Sequence, residues 1–168
     1  MTIQHALRST LPVSPRVAQG LWLRTVFLSK PLALQPGFSL QATPNQQRAV
    51  TCILDRPPED WNTAAMELVG LRAKVGFVAV EERIDVVEIP TRLQYSHVGG
   101  MSPLQESYGV VECQEVPGEK HRTELCWSIS YDAPWYVPKF VPNLGYQALL
   151  PIFMQRLEGA ADAQAKLS

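Results

Sequence analysis

The sequence is poor in the residues that metal, redox or nucleic-acid chemistry requires. It contains three cysteines, Cys52, Cys113 and Cys126, with no C-x-x-C spacing, and three scattered histidines, His5, His97 and His121. A structural zinc site needs four spaced ligands, so no metal is expected. The cysteines fall in strand-like runs, where a free thiol behaves as a small buried hydrophobe in a reducing compartment. An excess of one charge is also missing. The formal net charge is −1 and the pI about 6.3, so nothing draws the chain electrostatically to nucleic acid or to an anionic membrane. No window approaches the about 18 apolar residues of a membrane span, and Met1–Thr10 lacks the basic and apolar blocks of a secretory signal. There is no G-x-S-x-G elbow, phosphate loop, internal repeat or low-complexity block, and the 14 prolines are dispersed. These absences predict a soluble, cytoplasmic protein without cofactor, nucleic-acid partner or membrane insertion.

What is present is core-forming material. At 168 residues and 46% hydrophobic, the chain suits one domain, residues 1–168, with a sizeable core. Ile3 to Val13 reads as a strand. Ser14 and Pro15 then form a cap and first turn for an amphipathic helix carrying Val17, Leu21, Trp22 and Leu28. Gly20 weakens that helix by about 1 kcal/mol relative to alanine, and its bare backbone suits close packing. Pro31 and Pro36-Gly37 end it. The chain is extended from Phe38, and Gln47 to Asp55 alternates as a strand until Arg56-Pro57-Pro58. Residues 55–76 read as a short helix or a loop. Strands follow at Phe77–Glu88, Arg92–Val98, Tyr108–Val116 and Arg122–Asp132, the last two joined by a turn at Pro117–Lys120. Asn143 to Lys166 is helical, with Leu144, Ala148, Ile152, Leu149 and Phe153 as its buried stripe. Pro151 within it removes the bond to the Gln147 carbonyl and predicts a kink of the helix axis there. The order is α+β: one curved antiparallel sheet covered by a long C-terminal helix.

Alternation assigns the faces of the strands. Leu125, Trp127, Ile129 and Tyr131 share the bulky side of the last strand. A tight turn at Gly118-Glu119 would set Glu112 opposite Leu125 and Val110 opposite Trp127, placing Tyr108, Val110 and Glu112 inside. Leu93, Tyr95 and His97 also face in, as do Val78, Val80, Glu82 and Ile84. Val50, Cys52 and Leu54 carry Arg48 with them. The inner surface is therefore apolar with five polar intruders: Arg48, Glu82, Tyr95, His97 and Glu112. That mixture is usual for a ligand pocket. Each intruder has a plainer reading. Arg48 and Glu82 can pair at a rim, His97 and Glu112 can reach solvent, and Tyr95 and Trp127 can be core.

The order of "LPVSPRVAQGLW", "QQRAV", "VAVEERIDVVEIPTRLQYSHV" and "TELCWSISYDAP", followed by the terminal helix, resembles the SRPBCC superfamily over nearly the whole chain. This is the helix-grip fold of START lipid-transfer domains, birch-pollen-allergen relatives and bacterial polyketide cyclases. The resemblance implies a sheet wrapped around the C-terminal helix with an elongated apolar cavity between them. Relatives bind lipids, hormones or polyketides there, or fold and dehydrate a reactive chain. Residues 55–76 depart from the pattern as an insertion or a lid. The resemblance also gives Arg48 a role, because some aromatase/cyclases carry a cavity arginine on the matching strand.

Two functional readings follow. In the first, a cofactor-independent cyclase, dehydratase or isomerase of a biosynthetic pathway uses Arg48, Tyr95, His97 and Glu112. Arg48 steadies a developing enolate, His97 or Glu112 moves the proton, and Tyr95 donates a hydrogen bond. In the second, a monomeric or homodimeric carrier holds a hydrophobic ligand without chemistry. Both use the same lining: Trp22, Val50, Glu82, Tyr108, Trp127, Tyr131, Leu144, Ala148 and Ile152.

Overall fold

The computed structural model describes residues 2–28, 38–75, 80–100, 105–138 and 140–167. The helix breaks expected at Pro31 and Pro36-Gly37, the strand start at Phe77 and the inward faces of Val78 and Val80 lie outside the described residues and side chains.

The chain opens with β1 (Thr2–Leu11) and α1 (Pro15–Trp22), which passes directly into a wider π-helical turn, Leu23–Phe27. Ser14 is the N-cap residue, and Pro15 occupies the first turn, where its missing N–H costs nothing. After β2 (Phe38–Gln41) come α2 (Pro44–Asp55), a 3₁₀ turn (Pro58–Asp60) and α3 (Trp61–Glu67). Five strands follow: β3 (Arg72–Val75), β4 (Val80–Glu88), β5 (Arg92–Gly100), β6 (Gln105–Val116) and β7 (Glu119–Asp132). The last element is α4 (Phe140–Lys166). The seven strands form one antiparallel sheet in the order β1-β7-β6-β5-β4-β3-β2. The α+β helix-grip layout expected from the element order is the one observed.

Three local expectations are corrected. First, residues 47–55 are helical. Thr43 and Gln46 form a reciprocal capping box: the Thr43 hydroxyl accepts from the Gln46 N–H at 3.2 Å, and the Gln46 side chain accepts from the Thr43 N–H at 3.0 Å. Gln46, Ala49, Val50 and Ile53 are then buried at helical spacing, which the apparent alternation of short apolar residues concealed. Residues 58–67 take the helical of the two forms left open for 55–76, as a 3₁₀ turn and α3. Trp61, Ala64, Ala65, Leu68 and Leu71 are all buried, so this stretch is part of the core. Trp61 packs so closely on α1 that a methyl at Gly20 would lie 2.2 Å from its ring.

Second, β6 presents the opposite face. Gly118 takes φ 79° in the turn, and a register shift follows, with Val116 opposite Glu119 and Glu115 opposite Thr123. Beyond this irregularity Val111 pairs with Trp127 and Cys113 with Leu125, while Glu112 pairs with Cys126. A shift of one residue inverts a strand's faces. Glu112 is exposed and Tyr108 is 39% exposed, while Val110 of the same set is buried at 8% outside the main core cluster; Val111 and Cys113 are the residues turned into that core.

Third, α4 is rotated from the expected phase. Leu150, Met154, Leu157 and Ala161 face the core, whereas Leu144, Ala148, Leu149 and Ile152 are exposed and Phe153 is half-buried. The helix runs through Pro151, which is exposed and so lies away from the side that meets the core. Gln147 is exposed as well, so water can serve its freed carbonyl.

Candidate functional site

The inner face of the sheet carries an aromatic floor that grades into a polar end. Tyr95 on β5 lies opposite Gly109 on β6. Gly109 is what allows the ring to rest on the sheet, since a Cβ there would sit 2.2 Å from the tyrosine Cζ. Trp127 Nε1–H donates to the Tyr95 hydroxyl at 3.0 Å. Trp22 packs within ring-centroid distances of 5.5 Å of Tyr95, 5.7 Å of Trp127 and 6.2 Å of Phe27. Phe153 of α4 meets Trp127 edge-on at 6.1 Å. Such tilted and edge contacts favour aromatic pairs over face-to-face stacking.

At the polar end Glu82 and His97 sit directly opposite each other on β4 and β5. His97 Nε2 is 3.7 Å from Glu82 Oε1, and the two side chains are only 15% and 13% exposed. His97 Nδ1 is buried and has no hydrogen-bond partner among the described residues, and the same is true of Trp22 Nε1. Tyr146 of α4 reaches the same end. Burial pushes its phenol up to about 12, with smaller contributions from the Glu82 and Tyr131 charges, against a hydrogen bond with the buried Ser107 that lowers it. Tyr95 is held well above the ordinary phenol value by burial and then by Glu82, which the Trp127 hydrogen bond partly offsets. Both phenols therefore stay protonated around Glu82 as hydrogen-bond donors. His5 of β1 completes the cluster. Its Nε2 shares a hydrogen bond with the Tyr131 hydroxyl at 3.3 Å, its ring lies 5.5 Å from that of Tyr146, and desolvation lowers its pKa.

The residues expected at the site divide into two groups. Trp22, Glu82, Tyr95, His97, Trp127 and Tyr131 are brought together inside. Val50 is buried, on the inner face of α2 rather than on a strand. Arg48 is on the exposed face of α2, its guanidinium bonded to Asn45, beside an open surface groove of about 620 Å³ with Gln47, Thr51 and Cys52. Glu112, Tyr108, Leu144, Ala148 and Ile152 also point outward. Four participants were missed: His5, Ser107, Tyr146 and Phe153 as a partner of Trp127. The signal for Tyr146 lay in helix phase. The run Tyr146, Leu150, Met154, Leu157, Ala161 keeps helical spacing to the end of α4, whereas the Leu144 stripe stops at Ile152. Among the described residues no three His, Cys, Asp or Glu side chains converge as a metal site.

No family model matches the chain, and no curated protein matches it in sequence. Solved structures match it in fold. Ara h 8.0201 is 17% identical with a TM-score of 0.63, over 97% of this chain and 99% of that one. An uncharacterized protein from Bacillus thuringiensis is 14% identical with a TM-score of 0.61, over 95% and 98%. The protein XoxI from Bacillus cereus is 15% identical with a TM-score of 0.59, over 94% of each chain. With the seven-stranded antiparallel sheet and the long final helix, these likenesses establish that the chain adopts the helix-grip fold.

Proposed function

We propose that the protein binds an apolar small molecule bearing one polar group between the sheet and α4. The observation that carries this reading is that two of the three buried polar atoms without a partner among the described residues, His97 Nδ1 and Trp22 Nε1, lie on this otherwise aromatic wall, the third being Asp132 Oδ1. A buried polar group without a partner costs about 1–3 kcal/mol, so a bound oxygen or hydroxyl that supplies one recovers that energy. The Glu82–His97 pair and the Tyr95 and Tyr146 hydroxyls provide the few placed polar groups that orient a ligand in such a site. Mass spectrometry of small molecules extracted from the purified protein tests the reading. The expected result is an apolar, oxygen-containing compound in the wild type that is depleted in His97→Ala and Glu82→Gln. Extraction of nothing, or equal yields from all three proteins, would overturn it.

A second reading adds chemistry at the same place, and the buried imidazole–carboxylate pair favours it. His97 would take a proton from a carbon beside a carbonyl. The C–H electron pair would form the C=C bond of an enolate while the C=O π pair moves onto the oxygen, which a Tyr95 or Tyr146 hydroxyl meets. The proton then returns at another carbon in an isomerisation, or leaves with a β-hydroxyl as water in a dehydration; in a cyclisation the enolate carbon instead bonds to a second carbonyl carbon, whose oxygen takes the proton. No cofactor is required. In this form the cyclase-like activity rests on His97, Glu82, Tyr95 and Tyr146, with Arg48 and Glu112 taking no part. Conversion of the extracted compound should fall by about 10²–10⁴-fold in His97→Gln while its binding changes far less. Equal conversion rates leave a carrier.

A further inference from the structure

The expected buried stripe of α4 is real as a pattern but faces solvent. Phe140, Val141, Leu144 and Ile152 are 63%, 53%, 59% and 52% exposed. Immediately before them in the chain stand Trp135, 94% exposed, and Tyr136, 62% exposed, their rings in edge contact at 5.8 Å. From Ala133 to Gln155 the sequence holds a single charged residue, Lys139. Soluble surfaces rarely leave an apolar strip of this extent without a role.

We infer that this face, the Trp135-Tyr136 turn together with the outer side of the first half of α4, docks the protein on a zwitterionic lipid surface. Three observations select that occupant. The residue types are those that favour the water–lipid boundary, where the ring is buried and the indole N–H or phenol O–H stays wet. The strip lacks the clustered lysines and arginines that anionic lipid would reward. Trp135 projects from the strip at 94% exposed, and a second copy of the chain would have to offer it a fitted socket. A lipid surface requires no matching socket for the projecting Trp135. Adsorption at headgroup level is the mode, because no helix of the described residues is long and apolar enough to cross a membrane. The inference does not depend on whether the interior holds a ligand.

Flotation of the full chain with phosphatidylcholine vesicles tests it. The protein should float with these vesicles, and phosphatidylserine or about 0.5 M salt should change the bound fraction less than about twofold. Trp22, Trp61 and Trp127 are buried, so a blue shift of tryptophan emission on vesicle addition reports Trp135. Trp135→Ser combined with Leu144→Gln and Ile152→Gln should weaken partitioning at least about tenfold with an unchanged melting temperature. Trp135→Ser alone should abolish the blue shift. Absence of flotation, flotation only with phosphatidylserine, or undiminished flotation of the triple variant would overturn the inference. A vesicle-free dimer in sedimentation that dissociates in the triple variant would assign the face to a second copy instead.

Discussion

Replacing Gly109 with alanine sets a local rule directly against a tertiary contact. In a strand, glycine is disfavoured relative to alanine by about 0.5–1 kcal/mol, so the substitution should stabilise an isolated hairpin. In the folded protein the new Cβ would meet Tyr95 at 2.2 Å from Cζ and 2.4 Å from both Cε1 and the hydroxyl oxygen. The ring must retreat by about 1 Å, and Trp22 and Phe27 already pack on it at 5.5 and 6.1 Å. Overpacking of this kind costs about 1–3 kcal/mol. Moving the hydroxyl also strands the buried Trp127 Nε1–H, at about another 1–3 kcal/mol. The net expectation is a destabilisation of about 2–5 kcal/mol, or a melting temperature lower by roughly 4–20 °C for a chain of this size. Thermal and urea unfolding followed by circular dichroism measure it. In a Tyr95→Leu background, where the ring is gone, the alanine should cost less than about 1 kcal/mol. A Gly109→Ala protein as stable as the wild type, or an equal penalty in both backgrounds, would refute the close contact and the placement of Tyr95 built on it.

Alkaline stability follows from the raised phenols. The folded pKa values of Tyr95, Tyr131 and Tyr146 lie above the ordinary value of 10, that of Tyr146 at about 12. The unfolded chain therefore loses these protons first as pH rises. Their contribution is complete below pH 10 and is lost through about pH 12; urea titrations across that window should show the fall, and Tyr146→Phe should flatten it. Arg48→Ala, on the exposed face of α2, should change stability by no more than about 0.5 kcal/mol and leave ligand content unaltered; a clear loss of either would return Arg48 to a functional role. Pro151→Ala should stabilise the protein by about 1–3 kcal/mol by restoring a helix bond, and unchanged or lower stability in urea unfolding would show that α4 depends on the proline.

Much of the fold was legible because its signals are local and periodic. Leu125, Trp127, Ile129 and Tyr131 alternate with small or polar residues, and all four are buried in β7. Ser14-Pro15 marks the start of α1, and Pro117-Gly118 lies in the β6–β7 turn. The strand-and-helix order was enough to place the chain among helix-grip folds. The capping box at Thr43–Gln46 was equally local and was overlooked, because alternation within Gln47–Asp55 pointed to a strand.

The candidate site was only half legible, because local periodicity leaves phase open. Alternation says that Glu112 and Val111 lie on opposite faces, but not which face is inside. A register shift beside Gly118 decides that, and it sends Glu112 out. Similarly, α4 carries two apolar stripes, and local sequence does not say which one meets the sheet. Packing against β1 and the first helix selects Leu150, Met154 and Leu157, which brings Tyr146 against His5 and Tyr131 and within electrostatic reach of Glu82, and leaves Leu144 and Ile152 in solvent. The sequence by itself determined the first strand and helix, the later strands, the long final helix and a wall rich in aromatic side chains, but not α2, whose alternation pointed to a strand. Tertiary structure alone decided which polar groups converge on that wall, because residues as far apart as His5, Glu82, His97 and Tyr146 meet only when strand register and helix rotation are set by the packed core.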